Sequence, residues 1–251
     1  MSYFSKALEI QEKSLSSTHR DLANVYNNMG AVQDSLGNYS MALSFYKKVL
    51  EIREKVLPAV HIDLAIIHLN IGITHYRMKN YSTTLLHFQK TFENQEKCFS
   101  PTHIMLADIC DKIAMTYYSM KNHSNALLHY QTSLNIRQKS SQSIRPDTAV
   151  NFYNIAKTFE HLNQYHEAIE YAQKAVDMAR LLFECDHSEA KENQEYLGVG
   201  VDTDNFRSSK CETKSTSTRT VASQTLHDLW TCTLIDSLPY SYILDLQSNA
   251  S

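Results

Sequence analysis

Apolar residues in this chain recur at steps of three and four. Leu22, Val25, Met29 and Val32, beside Tyr26 and the small Gly30, form one helical stripe and predict a first helix from about His19 to Leu36. Ala42, Leu43, Tyr46, Val49, Leu50 and Ile52 form another and predict a second helix from about Tyr39 to Val56. Between them, Gly37-Asn38 is a stop signal, because both residues tolerate the left-handed conformation that ends helices.

This unit then repeats. His19, His61 and His103 stand 42 residues apart. Gly30, Gly72, Ala114 and Ala156 form a small-residue column at that spacing, and Met29, Ile71, Ile113 and Ile155 an apolar one. Further columns are Tyr39, Tyr81, His123 and Tyr165; Ala42, Thr84, Ala126 and Ala168; and Leu43, Leu85, Leu127 and Ile169. Tyr46, Phe88, Tyr130 and Ala172, then Leu50, Phe92, Leu134 and Val176, complete the set. The turn position carries Lys79-Asn80, Lys121-Asn122 and Asn163-Gln164 in later units, while Pro58 and Pro101 fall between units, where a missing N–H costs least. The small column marks where the two helices of a pair cross closely. The aromatic of the Tyr46 column then packs over the next unit. A single pair cannot bury its apolar face, so neighbours must stack.

The fold class expected is therefore all-α: a right-handed α–α superhelix of tandem helix-turn-helix repeats. The repeat domain spans 1–198, with a partial repeat at 1–18, repeats at about 19–60, 61–102, 103–144 and 145–186, and a capping helix over 187–198 that keeps Gly198 in the small column. The period is lost over 199–251. Eleven of residues 203–225 are Ser or Thr, which predicts a disordered tail, and apolar character returns only in a short segment at 226–246.

Composition narrows the function. The net charge of −3 offers no basic field for phosphate backbones, so no nucleic acid partner is expected. Cys98, Cys110, Cys185, Cys211 and Cys232 are odd in number and form no C-x-x-C pair, which points away from disulfides or zinc and towards a reducing, cytoplasmic setting. Nothing resembles a signal peptide, and no apolar run reaches the roughly 18 residues of a membrane helix, so no membrane association is expected. His166-Glu167 lacks the second His of a metalloprotease helix, and Gly198-Val199-Gly200 lacks the third Gly of a dinucleotide loop. The chain is expected to be a monomer without catalytic residues, metal or cofactor. One His per repeat is too widely spaced to share an ion, so that column reads as loop or helix-start residues. Asp21 and Asp63 are expected to cap first helices or to favour their positive ends.

These columns resemble the tetratricopeptide repeat. Its pattern is a small residue in helix A, an aromatic three later, an alanine early in helix B and an aromatic four after that. Ala114, Tyr117, Ala126 and Tyr130 match all four places, and Gly72, His75, Thr84 and Phe88 match less closely. The 42-residue unit is longer than the ordinary one. With LEIREKVL, then H-x-D-L-A and an Asn-containing run ending in Gly, it is similar to the repeats of kinesin light chains, over about residues 1–198. The heptad segment those proteins carry before their repeats does not occur in this sequence. Tyr3, Leu8, Ile10 and Lys13 align with Phe45, Leu50, Ile52 and Lys55, so the chain opens inside a second helix, and a truncated or divergent repeat protein is expected.

The resemblance implies a concave face lined by first helices, which holds a peptide segment or partner protein. An Asn two residues before the small residue bonds the peptide backbone in that family, and the corresponding column here is Asn28, Asn70, Lys112 and Asn154. An amide can donate and accept at once, whereas Lys112 favours a carboxylate. Ile66, Leu69, Ile73 and Tyr76 of the second repeat, Met115 and Tyr118 of the third, and Tyr153 and Lys157 of the fourth complete the expected groove. The function expected is a protein–protein interaction scaffold, a cargo adaptor of the kinesin light chain kind. Two rivals are a scaffold regulated by its own tail, with 226–246 in the groove, and the recognition part of a larger multidomain enzyme.

Overall fold

Each helix pair closes through one kind of turn, and that turn sets the architecture. The computed structural model describes residues 20–140 and 146–197. The partial repeat at 1–18, His19 and the tail from 199, with its segment at 226–246, lie outside the described residues. The first unit, ending at Ser140, contains helices α1 (Arg20–Ser35), α2 (Tyr39–Val56), α3 (Ile62–Arg77), α4 (Tyr81–Cys98), α5 (Ile104–Ser119) and α6 (His123–Lys139). A second unit, starting at Ser141, contains α7 (Pro146–His161) and α8 (Tyr165–Leu197). The described residues contain no strand. In the first unit, α1 pairs with α2, α3 with α4 and α5 with α6, and the three hairpins stack in chain order. In the second, α7 pairs with α8.

The turn residues Gly37, Lys79, Lys121 and Asn163 have φ of 79°, 61°, 60° and 60°. In the first turn, the Asn38 N–H donates to the Gln33 carbonyl at 2.9 Å and the Gly37 N–H to the Asp34 carbonyl at 3.0 Å. Asn80–His75, Asn122–Tyr117 and Gln164–Phe159 repeat the first of these bonds. Two orphan carbonyls are thereby satisfied at each helix end, in a left-handed cap. Gly37 adopts the conformation freely. The lysines hold it against a penalty of about 1–2 kcal/mol.

The small column lies where the helices touch. A Cβ built on Gly30 would sit 2.6 Å from Tyr46 Cε1, and one on Gly72 would sit 2.6 Å from Phe88 Cδ1. Ala114 and Ala156 are fully buried at the same place. The aromatic ring thus lies across its own hairpin, and it also reaches the next. Tyr46 shares a core cluster with Ile67 and Ile71, and Phe88 shares one with Ile109 and Ile113.

The two described histidines of the His19 column are caps. His61 and His103 are the N-cap residues of α3 and α5, and their Nδ1 atoms accept from the Asp63 and Met105 N–H groups at 3.0 and 3.3 Å. Asp21 and Asp63 stand in the first turns of α1 and α3, where a negative charge meets the positive helix end, but the cap of α3 is His61. Arginines on second helices brace the hairpins. Arg53 on α2 donates to Asn24 Oδ1 on α1 at 3.2 Å and to the Asp63 carbonyl on α3 at 2.9 Å. Arg137 on α6, only 2% exposed, bonds Asp108 and Asp111 of α5 at 2.9 and 2.6 Å.

One expected boundary is absent. Helix α8 runs unbroken from Tyr165 to Leu197, so no turn separates a capping helix at 187–198. Pro58 and Pro101 follow the ends of α2 and α4, whereas 165–197 contains neither Pro nor Gly and is rich in Ala and Glu. Nothing local stops the helix.

Two outcomes follow for urea unfolding of the chain. Gly72→Leu, which drives a side chain into the Phe88 ring, is expected to lower stability by about 1–3 kcal/mol. Lys121→Gly relieves the left-handed turn and is expected to raise it by about 1 kcal/mol; an unchanged midpoint would show that the turn is not under strain.

Candidate functional site

The first helices α1, α3 and α5 of the first unit carry the residues expected to meet a partner. Asn28 is exposed, and Asn70 and Lys112 are half-buried. Threonines four residues on hold the backbone beneath two of them: Thr74 and Thr116, both fully buried, donate to the carbonyls of Asn70 and Lys112 at 3.0 and 2.8 Å. The backbone carbonyls of Asn70 and Lys112 thus accept a threonine hydroxyl within the helix, and their side chains are only half-buried. Lys112 Nζ has no acidic partner among the described residues.

The remaining expected residues divide. Ile66 is 37% exposed, a large apolar side chain open to solvent on α3. Leu69 and Ile73 are half-buried against the Phe88–Ile109–Ile113 cluster and contribute mainly to packing. Tyr76 is half-buried, with its ring 5.7 Å from Tyr81 and its hydroxyl 2.8 Å from Ser119 Oγ; burial pushes its pKa up. Met115 is half-buried, and the Tyr118 ring stands edge-on to His123 at 5.1 Å. On α7, in the second unit, Tyr153 packs against Ala149 and Ala156, Asn154 is half-buried, and Lys157 pairs with Glu160 at 3.0 Å. The Asn154 carbonyl accepts from the fully buried Thr158 at 2.7 Å, so the threonine pattern extends to this helix.

Sequence reasoning missed a set of links between first helices. Asn70 Nδ2 donates to Asn27 Oδ1 at 3.1 Å, Arg77 pairs with Asp34, and Tyr76 meets Ser119. All three span 43 residues, one more than the repeat. The opposite charges at Asp34 and Arg77 carried that signal, but only a search one residue off the period would have found it. Through these links Asn70 is held by its neighbour, with its Oδ1 accepting no bond among the described residues.

No reactive centre emerges from the buried groups described. Burial pushes the Cys110 thiol up to about 12, and Asp111 adds to this, so the sulfur stays protonated at neutral pH. Among the described residues, no group of three possible ligands is disposed to hold a metal ion, and no helix is long and apolar enough to cross a membrane.

Known proteins supply the remaining evidence. Tetratricopeptide repeat patterns match residues 2–55 and 63–139, and a second such pattern matches 149–180. No curated protein matches the chain. Among solved structures, BtubC (BKLC) from P. vanneervenii is similar with a TM-score of 0.65 at 17% identity, over 86% of this chain and 79% of that one. A Podosopora anserina protein described as a kinesin light chain with nearly identical TPR-like repeats has a TM-score of 0.62 at 16% identity, over 70% of this chain and 83% of that one. A Rap protein in complex with competence and sporulation factor has a TM-score of 0.52 at 19% identity, over 77% and 55%. At these identities the structures establish a shared fold, and the sequence patterns cover more than half of the chain. Repeat period, turn geometry and pattern agree, and the chain belongs to the tetratricopeptide repeat family.

Proposed function

We propose that this chain is a protein-interaction scaffold. It holds a peptide segment or partner protein against the first-helix face of α1, α3 and α5, as an adaptor of the kinesin light chain kind. One observation carries the reading: the face presents the exposed amide of Asn28, the half-buried amide of Asn70 with its Oδ1 still able to accept, and the solvent-exposed Ile66 one turn before Asn70. Amides of this type can pair with both groups of a peptide unit that has left water, and an exposed Ile gives an apolar side chain somewhere to sit. Lys112, farther along the face, favours an acidic residue in the ligand. In the sequence Asn154 falls in the same 42-residue column, on α7 of the second unit, where Tyr153 and Lys157 are its neighbours on the same helix. The Rap structure supports the reading, because a protein of this fold is there held in complex with a partner factor.

The test places a photo-crosslinking amino acid at Asn28 or Ile66, and, as a comparison, at Leu86 or Leu128, which are exposed on the second helices. A partner should be captured from the first pair of positions and not from the second. Binding of that partner should then fall about tenfold or more in Ile66→Asp, with an unchanged melting curve. Equal capture from both faces, or undiminished binding by Ile66→Asp, overturns the assignment.

A further inference from the structure

Each described hairpin has aromatic or imidazole rings in contact between its two helices, and these contacts recur with the repeat. Tyr26 lies 6.1 Å from Phe45 in the first hairpin, and Tyr117 lies 5.5 Å from His129 in the third. Phe159 and Phe152 lie 5.4 and 6.1 Å from Tyr171 in the α7–α8 hairpin. In the α3–α4 hairpin all three places are imidazoles. His68 and His75 on α3 lie 5.2 and 6.0 Å from His87 on α4. Neutral imidazoles can stack as the other rings do. Unlike tyrosine and phenylalanine rings, imidazoles can take up protons near pH 6.5; the third hairpin has one in this layer, His129, and the α3–α4 hairpin has three.

The surroundings oppose that charge. His68 Nδ1 faces His87 Nδ1 at 3.1 Å, so one must donate and the other accept. A second proton in that gap would set two N–H groups against each other. His75 Nδ1 is buried with no hydrogen-bond partner among the described residues, so a proton there would find no acceptor. His68 is 7% exposed. The charge from α4 that acts on His68 and His87 is Lys90, also positive, and the remaining electrostatic partners of His87 are His68 and His75 themselves. His75 feels burial alone. No charged group of α2 or α5, the helices packed on either side, acts on any of the three. The helices are already in close contact at this level, with His87 Cβ and the Phe88 ring against the Gly72 position, so there is no free space beside the rings for water to enter while the hairpin is closed.

We propose that His68, His75 and His87 form a proton-operated latch that keeps the α3–α4 hairpin closed while neutral and opens it on acidification. Opening displaces α3 and with it Ile66 and Asn70, so a ligand is released; this last step rests on the binding face proposed above. The direction follows from where protons bind. Burial, with Lys90 and for His87 the neighbouring imidazoles, lowers the His68 and His87 pKa values from 6.5 to about 4, and burial lowers that of His75. Between about pH 6.5 and 4 the open hairpin therefore takes up protons that the closed one refuses. Closure is fully favoured above this window and is lost as the pH falls through it, by up to about tenfold in the opening constant per pH unit for each site.

Hydrogen exchange of the full chain, corrected for intrinsic rates, tests this at pH 7, 6 and 5. Protection of α3 and α4 should fall about tenfold or more between pH 6.5 and 5, while α7, whose layer is Phe152, Phe159 and Tyr171, should hold. His68→Tyr with His87→Phe installs the rings that Tyr26 and Phe45 provide in the first hairpin, and should reduce the dependence to the part carried by His75. Imidazole NMR titration of the unmodified chain gives a readout that needs no variant: the signals of His68 and His87 should titrate below pH 5. Titration near 6.5, equal loss of protection in α7, or the same dependence in the double variant overturns the latch. If protection falls as expected but a bound partner stays bound at pH 5, the latch stands and the binding face fails.

Discussion

The close crossing of two helices at a residue with little or no side chain is the contact on which the rest of this structure depends. At Gly30 and Gly72 the partner is an aromatic ring, from Tyr46 or Phe88, lying where a Cβ would otherwise be. That ring then shares a cluster with isoleucines of the following first helix. One contact therefore sets both the spacing within a hairpin and the seating of the next hairpin upon it. The fourth pair reaches closeness differently. Ala156 meets Ala172, with Tyr153 and Tyr171 packed around them. Ring volume lost from one column is supplied from neighbouring ones, as a well-filled interior requires.

Polar links act on top of this packing. Arg53 ties α2 to both α1 and α3, and the bonds from Asn27 to Asn70 and from Asp34 to Arg77 tie α1 to α3 directly. A buried charge is tolerated only where it is paired and hydrogen-bonded, and Arg137 meets that condition through Asp108 and Asp111. These links also decide what is left for a partner. Side chains engaged between repeats are held in position, while Asn28, Ile66 and Lys112 stand outside the network.

The proposed binding face and the ring layer lie on different sides of α3. On α3, Ile66, Asn70, Ile73 and Arg77 follow one stripe, and His68 and His75 follow another that faces α4. A change of protonation in the layer can thus act on the surface only by moving the helix as a body. That makes the ring layer a place where the hairpins differ in chemistry while sharing one geometry.

Local features were legible along the chain. The helix stripes, the small column and the turn positions all appear at the 42-residue period, because each depends on residues close in sequence. Even the left-handed turns at Lys79 and Lys121 could be placed, although lysine by itself does not ask for one. The bonds between repeats were not legible: they fall 43 residues apart, an offset created by stacking that a period search passes over. Leu69 and Ile73 look like surface on a helix considered alone and become half-buried only when α4 and α5 pack around them. The same holds for three histidines dispersed along the chain, which become one layer only when α3 and α4 close together. Sequence by itself determined the repeat and its hairpins, since helix period and turn chemistry act over a few residues. Tertiary structure alone decided which polar and titratable groups meet, since that depends on how one hairpin sits against the next.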